Sequence, residues 1–301
     1  MDNLLITGAF KATDDQLTEL KALGYNLIFE PDEYSKINCN PKEIDAVICN
    51  NLFLNTPIEL FENLKYIQLT SAGFDRVPLD YIQRNKIEIR NAAGVYSIPM
   101  AEFAVCSILQ LYKNGFYFYK NKENKIWNKC RDLQELIDKK VCIIGAGNIG
   151  TEVAKRLKPF VSSIIGIDLC RNEKEYFDSV LPSDRLDDQL NDSDIVILTL
   201  PLTKENKAFF NKDKFELMKK TSIFVNISRG MLVNENDLID ALRERKIFGA
   251  VLDVFEKEPL SEDSELWDFD NVIITPHNSF VGENNPKRLF KVILENLRNR
   301  K

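Results

Sequence analysis

The feature that most constrains this chain is the alternation, from end to end, of short apolar runs of strand length with segments of helical pattern. That alternation yields parallel sheets covered by helices on both faces, because a parallel pair of strands needs a crossover to bring the chain back to the same starting edge. A first set of runs comprises LLITG (4–8), YNLIF (25–29), DAVIC (45–49), KYIQL (65–69) and IEIRN (87–91). A second comprises VCIIG (141–145), SIIGID (163–168), DIVILTL (194–200), SIFVNI (222–227), GAVLDV (249–254) and NVIIT (271–275). Two sets imply two lobes, as expected when 301 residues exceed one comfortable hydrophobic core. The predicted class is therefore α/β, with two doubly wound parallel-sheet domains.

Between the sets, SIPMAEFAVCSILQLYKN (97–114) places Met100, Ala104, Ile108 and Leu111 at helical spacing and predicts a long helix that carries the chain across. The following GFYFYKNKENKIWNK (115–129) alternates polar and aromatic residues without a clear period, so it reads as a solvated excursion or an arm that packs on another subunit. The closing NPKRLFKVILENLRNRK (285–301) reads as a helix with Phe290, Ile293, Leu294 and Leu297 on one face.

Composition narrows the class of partner. With 44% hydrophobic and 29% charged residues and a net charge of −6, the chain is globular and offers no reason to expect nucleic acid or an anionic membrane. Cys39, Cys49, Cys106, Cys130, Cys142 and Cys170 are scattered without metal-ligand spacing, which predicts a reducing compartment and no metal. MDNLLITGAF puts an acid where a signal peptide wants positive charge, and no apolar segment approaches the roughly 20 residues of a membrane helix, so a cytoplasmic protein is expected.

The most specific local pattern is VCIIGAGNIGTEVAKRL (141–157), a strand that runs directly into Gly145, Gly147 and Gly150 and then into a helix. Gly145 permits the tight turn, Gly147 lets a pyrophosphate approach the backbone, and Gly150 lets helix and strand pack closely. Asn148 and Ile149 open the helix, whose N-terminal amides aim at the anion. Eighteen residues past Gly150, Asp168 ends the next strand, where a carboxylate accepts hydrogen bonds from an adenosine ribose. A carboxylate there repels a 2′-phosphate and favours NAD over NADP, although Arg171 keeps NADP open as the less favoured cofactor.

Three charged groups follow strands of the second set: Arg229 in NISRG, Glu258 in FEKEP and His277, the chain's sole histidine, in TPHNS. Taken singly, each has a bland explanation: solvated arginine, loop glutamate, structural histidine. Together they are a complete set beside a nicotinamide. An imidazole can give or take the proton that accompanies hydride transfer at a carbinol carbon, a neighbouring carboxylate favours the charged ring, and a guanidinium binds a carboxylate while polarising the adjacent carbonyl. The combination points to a 2-hydroxy or 2-oxo acid.

The chain resembles the D-isomer-specific 2-hydroxyacid dehydrogenases, a family with phosphoglycerate, glycerate, lactate and glyoxylate/hydroxypyruvate members, through GAGNIG, LPLTKENKAFF, FVNISRGMLVNENDLIDALRERKIFGAVLDVFEKEPL and NVIITPHNS in that order and spacing. The resemblance implies a Rossmann NAD-binding domain (97–281) inserted in a flavodoxin-like substrate domain (1–96 plus 282–301), with the C-terminal helix returning to the first lobe. It also implies a substrate cleft between lobes and a homodimer through the 98–135 region. It gives Arg229 as carboxylate and carbonyl binder, Glu258 as the group that tunes the imidazole, and His277 as acid/base. Asp253 resembles the residue near the nicotinamide carboxamide, and Pro201 with Asn226, Ile227 and Ser228 resembles the cofactor-lining part. TSAGFDRVPLD (70–80) resembles the loop whose amides hold the substrate carboxylate, centred on Ala72 and Gly73.

Where phosphoglycerate-type members carry arginine near the third strand, this chain has Cys49, Asn50 and Asn51, so a phosphorylated substrate lacks its charge partner. Tyr96 in the hinge implies a differently shaped pocket, and control through an added C-terminal domain is not expected. The expected activity is NAD-dependent interconversion of a small D-2-hydroxy acid and its 2-oxo acid. Its alternative is a non-catalytic NAD(H)-sensing interaction protein of the same fold. A methyltransferase using the glycine motif would leave Arg229, Glu258 and His277 idle.

Overall fold

The structure, a computed structural model, describes residues 1–169 and 173–300; Cys170 and Arg171, invoked above for compartment and cofactor choice, lie outside them. The chain divides into two compact units, Met1–Tyr96 with Gly282–Lys301, and Ser97–Val281.

The first unit is built on a five-stranded parallel sheet of β1 (Asp2–Thr7), β2 (Tyr25–Glu30), β3 (Ala46–Cys49), β4 (Tyr66–Leu69) and β5 (Glu88–Arg90) in the order β2-β1-β3-β4-β5. This is the flavodoxin-like order. One face is covered by the helix Asn285–Asn299, whose Leu289, Phe290, Ile293, Leu294 and Leu297 join Leu4, Ile6, Phe10, Ala46 and Ile48 in one core. Phe10 and Phe290 stack with ring centroids 6.3 Å apart. The apolar stripe seen in the sequence is thus the face that binds this helix to the sheet. The opposite face carries a second core around Leu5, Val47, Cys49, Ile67 and Leu69.

The second unit contains β6 (Lys140–Ile144), β7 (Ser163–Ile167), β8 (Ser179–Leu181), β9 (Ile195–Leu198), β10 (Ile223–Asn226), β11 (Gly249–Leu252) and β12 (Val272–Ile274), all parallel, ordered β12-β11-β10-β9-β6-β7-β8. This is the doubly wound dinucleotide-binding order with one further strand. The central strands β9, β10 and β11 are buried along their whole length, which is why they read as continuous apolar runs instead of alternating ones. Phe210, Phe215 and Phe224 form an aromatic knot on one face, with centroids 4.7 to 5.2 Å apart.

Strand β8 escapes the sequence analysis because it is a three-residue edge strand, half-buried and without an apolar run. The aperiodic 115–129 segment begins as a helix, Gly115–Glu123, in which only Asn121 is buried. Aromatic residues on all its sides hide the helical period. The crossing helix is Ser97–Tyr112, and Tyr112, not Leu111, makes its last buried contact.

Candidate active site

Parallel pairing decides which residues share an edge. In the seven-stranded sheet every carboxyl end emerges on the same side: Gly145 after β6, Asp168 after β7, Pro201 beyond β9, Arg229 beyond β10, Asp253 and Glu258 beyond β11, and His277 beyond β12. The strand order reverses between β9 and β6, so the crevice that open α/β sheets use for ligands is flanked by the glycine turn. Arg229, Glu258 and His277 follow three adjacent strands, spaced about 4.8 Å apart.

At the glycine turn, Gly145 adopts φ +105°, and a β-carbon there would lie 2.9 Å from the Thr199 carbonyl carbon. A β-carbon on Gly150 would lie 2.2 Å from the Gly145 oxygen, whereas one on Gly147 would meet nothing within 4 Å. Two glycines are therefore demanded by packing and one faces open space. The helix Asn148–Leu157 starts at Gly147 with no side-chain cap, leaving its first amides for an anion. These residues fit the pyrophosphate of a dinucleotide. Asp168 Oδ2 accepts the Ala146 amide at 2.9 Å, and Lys174 Nζ donates to the Ala146 carbonyl, so charged side chains from beyond β7 brace the turn on both sides. Lys174 carries no motif that sequence reasoning could use.

At the other end of the edge, His277 Nδ1 lies 2.8 Å from Glu258 Oε2, with both side chains partly exposed. Glu258 Oε1 in turn accepts the Phe255 amide at 3.1 Å, which fixes the carboxylate. The His277 backbone lies at φ +50°, in the left-handed region, and its amide donates to the Asp253 carbonyl at 2.7 Å. The Phe280 ring meets the imidazole edge-on at 6.0 Å. A cavity of about 580 Å³ adjoins the pair, walled by Phe255, Leu260, Trp267, Ile274 and Pro276.

Asp253 holds this turn. Its carboxylate is fully buried and accepts the Thr275 hydroxyl at 2.6 Å, the Asn278 amide at 2.7 Å, the Ser279 amide at 3.0 Å and the Ser279 hydroxyl. Asp253 is the residue expected near the nicotinamide carboxamide, and both of its oxygens are engaged by the segment that carries His277. Asn226 does similar work for Arg229. Its Oδ1 accepts the Ser228 amide and hydroxyl at 3.1 and 2.8 Å, while its Nδ2 donates to the Arg229 carbonyl at 3.1 Å. Asn226, Ile227 and Ser228 are buried and build the turn, and Pro201 is exposed at the β9 end.

Gly230 went unnoticed in the sequence, yet a β-carbon there would fall 1.9 Å from the Phe255 carbonyl carbon. The glycine lets the backbone after Arg229 touch the backbone that leads to Glu258. Its signal was the Arg-Gly pair in NISRG. In the first unit, the 70–80 loop is held through carbonyls: Ala72 O accepts Asn91 Nδ2 at 2.5 Å and Gly73 O accepts Ser71 Oγ at 3.0 Å. Among the described residues no cluster of His, Cys, Asp and Glu could hold a metal ion, and no helix is long and apolar enough to cross a membrane.

A model of the D-isomer specific 2-hydroxyacid dehydrogenase NAD binding domain matches residues 105–279, a span that includes the glycine turn and all three charged groups. The chain belongs to this family. It is 34% identical to a glyoxylate reductase of Pyrococcus horikoshii over 247 residues, covering 78% of this chain and 73% of that protein. It is 33% identical to a probable 2-ketogluconate reductase of Dictyostelium discoideum over 276 residues, covering 87% and 81%. Among solved structures, a D-isomer specific 2-hydroxyacid dehydrogenase from Xanthobacter autotrophicus, in complex with NADPH and MES, shares the fold with a TM-score of 0.81 at 26% identity, over 99% of this chain and 94% of that one. The dehydrogenase is thus an oxidoreductase of hydroxy and oxo acids with a dinucleotide-binding domain.

Proposed function

We propose that this dehydrogenase interconverts a small D-2-hydroxy acid and its 2-oxo acid with NAD as hydride carrier. The observation that carries the reading is the 2.8 Å bond between His277 Nδ1 and Glu258 Oε2 on the same sheet edge as the uncapped glycine turn. When bound, the nicotinamide supplies or takes up the hydride. Gly145, Gly147, Asn148, Ile149 and Gly150 hold the pyrophosphate, and the negative charge of Asp168 favours a ribose with a free 2′-hydroxyl. Pro201 and the 226–228 turn complete the cofactor wall.

With Nδ1 directed at Glu258, the ring's Nε2 is the atom that exchanges the proton. In reduction, Nε2–H of His277 protonates the carbonyl oxygen as hydride reaches the carbon; in oxidation, neutral Nε2 takes the hydroxyl proton. Glu258, accepting from Nδ1–H, orients the ring so that Nε2 is the nitrogen that exchanges the proton in both directions. Arg229 pairs with the substrate carboxylate and polarises its neighbouring carbonyl. The apolar wall beside the pair limits water near the proton transfer.

The test is a panel of glyoxylate, hydroxypyruvate, pyruvate and 3-phosphohydroxypyruvate, each with NADH and NADPH, followed by loss of reduced-nicotinamide absorbance. Turnover of at least one acid, faster with NADH, is expected. A protein that binds NADH and turns over none of them would be a sensor instead of an enzyme.

The same reading includes a homodimer and a cytoplasmic location. Trp127 is 99% exposed, and Phe116, Tyr119 and Ile126 of the same 98–135 region are exposed as well, which supports a partner surface there. Light scattering on the wild type and on Trp127→Ser checks it: a dimer that the substitution weakens is expected, and a monomeric wild type refutes it.

A further inference from the structure

Two successive amides beyond β11 are each held by a glutamate. Glu258 accepts the Phe255 amide with the oxygen that does not face His277, and Glu235, from a different segment of the same unit, accepts the Glu256 amide through Oε2 at 3.1 Å. Glu235 opens the helix Glu235–Arg243, which follows β10 and is capped by Asn234, whose side chain accepts the Asp237 amide at 3.2 Å. An acid in the first turn of a helix is ordinarily explained by the helix dipole, which favours negative charge there. The Glu235 carboxylate, however, is partly buried and reaches a segment 21 residues further along the chain. Burial pushes its carboxyl above the ordinary glutamate value, the Glu256 amide opposes that, and the Glu256 charge adds to it. A carboxylate that served the dipole alone would stay in water, where no such desolvation acts.

The peptide between Phe255 and Glu256 is confined by Gly230 as well, since a β-carbon there would fall 1.9 Å from the Phe255 carbonyl carbon and 2.5 Å from the Glu256 nitrogen. Gly230 sets how closely that peptide approaches, and the bond to Glu235 sets its rotation. The preceding peptide donates the Phe255 amide to Glu258 Oε1, while Glu258 Oε2 lies 2.8 Å from His277 Nδ1. Adjacent rigid peptides pivot on the Cα they share, so turning the one that Glu235 holds turns the one that holds Glu258.

We propose that Glu235 is a positioning residue for the proton transfer: by fixing the Glu256 amide it keeps the Glu258 carboxylate against Nδ1 and so sets the direction of His277 Nε2. This rests on the 2-oxo acid reading above and adds a residue to it.

Two conservative variants rank in opposite orders under the two explanations of this acid. Glu235→Asp keeps the charge at the helix start but withdraws the oxygen by a methylene, whereas Glu235→Gln keeps the reach and the acceptor but not the charge. With NADH and the acid that the wild type reduces fastest, kcat is expected to fall roughly tenfold in Glu235→Asp and to stay within about threefold in Glu235→Gln, with NADH affinity and thermal midpoint unchanged in both. Glu235→Ala should match Glu235→Asp in kcat and stands in for it if that variant does not fold. In a Glu258→Ala background, Glu235→Asp should cost less than about twofold, because no carboxylate is left to aim. A wild-type rate in Glu235→Asp, a Glu235→Gln as slow as Glu235→Asp, or an undiminished loss in the Glu258→Ala background overturns the proposal alone. A wild type that reduces no 2-oxo acid overturns the catalytic reading and this proposal with it.

Discussion

At the β6–β7 end of the large sheet the anion cradle is made of absent side chains and backbone amides, whereas at the β10–β12 end the charged pair is made of side chains held by other side chains. The cradle depends on residues a few positions apart: Gly145, Gly147 and Gly150 sit within one turn and the start of one helix. The pair depends on separations of 19 residues between His277 and Glu258, and of 22 to 26 between Asp253 and the turn it clamps. A backbone cradle tolerates change wherever its open face is wide. A side-chain site fails when a remote anchor is lost, because the reacting nitrogen moves with it.

That contrast is most severely tested at Gly230. Gly230→Ala drives a β-carbon into the Phe255 backbone, so a loss of about 4 kcal/mol or more is expected, read as a collapse of the thermal midpoint together with activity. A folded, active variant would mean the two backbones can separate. His277→Ala should lower kcat by roughly a hundred- to ten-thousand-fold while NADH still binds, measured by turnover and by fluorescence titration. Retained turnover would remove the imidazole from the chemistry.

Asp253→Asn separates the two ends directly. If the carboxylate positions the His277 turn, kcat should fall by roughly a hundredfold with little change in NADH affinity. A loss confined to NADH affinity would instead support the cofactor contact expected of Asp253. The smallest effect is expected at Gly147, where an added methyl meets no protein atom. Gly147→Ala should leave the thermal midpoint unchanged or raised, by the ~0.4–1 kcal/mol that a less flexible unfolded chain contributes. It should weaken NADH binding about tenfold, or ~1.4 kcal/mol, by occupying the pyrophosphate's approach. Unaltered affinity would place the pyrophosphate elsewhere.

Much of the fold was legible because buried parallel strands are nearly continuous apolar runs. Each run in the two sets falls on a strand, with ends displaced by a residue or two, as with LLITG against Asp2–Thr7. The misses share one cause, weak contrast between faces. Strand β8 lies at the sheet edge, half-exposed, and the helix Gly115–Glu123 buries Asn121 alone. At the site, the residue types of the charged trio suggested their chemistry, and the structure brings Glu258 and His277 into contact. The anchoring of Asp253 left no readable pattern and Gly230 showed only an Arg-Gly pair, since each depends on a neighbour supplied by another segment, while the knot at Asn226 is local but needs its side-chain geometry to be seen.

By itself, the sequence determined the periodic elements, the parallel architecture and the glycine turn, because each of these is fixed by contacts or backbone needs that lie close together along the chain. Only the tertiary structure decided that Asp253 anchors a turn, that Gly230 lets two backbones touch and that Glu235 holds the Glu256 amide. Those outcomes depend on burial and on hydrogen bonds between segments that the linear order keeps apart.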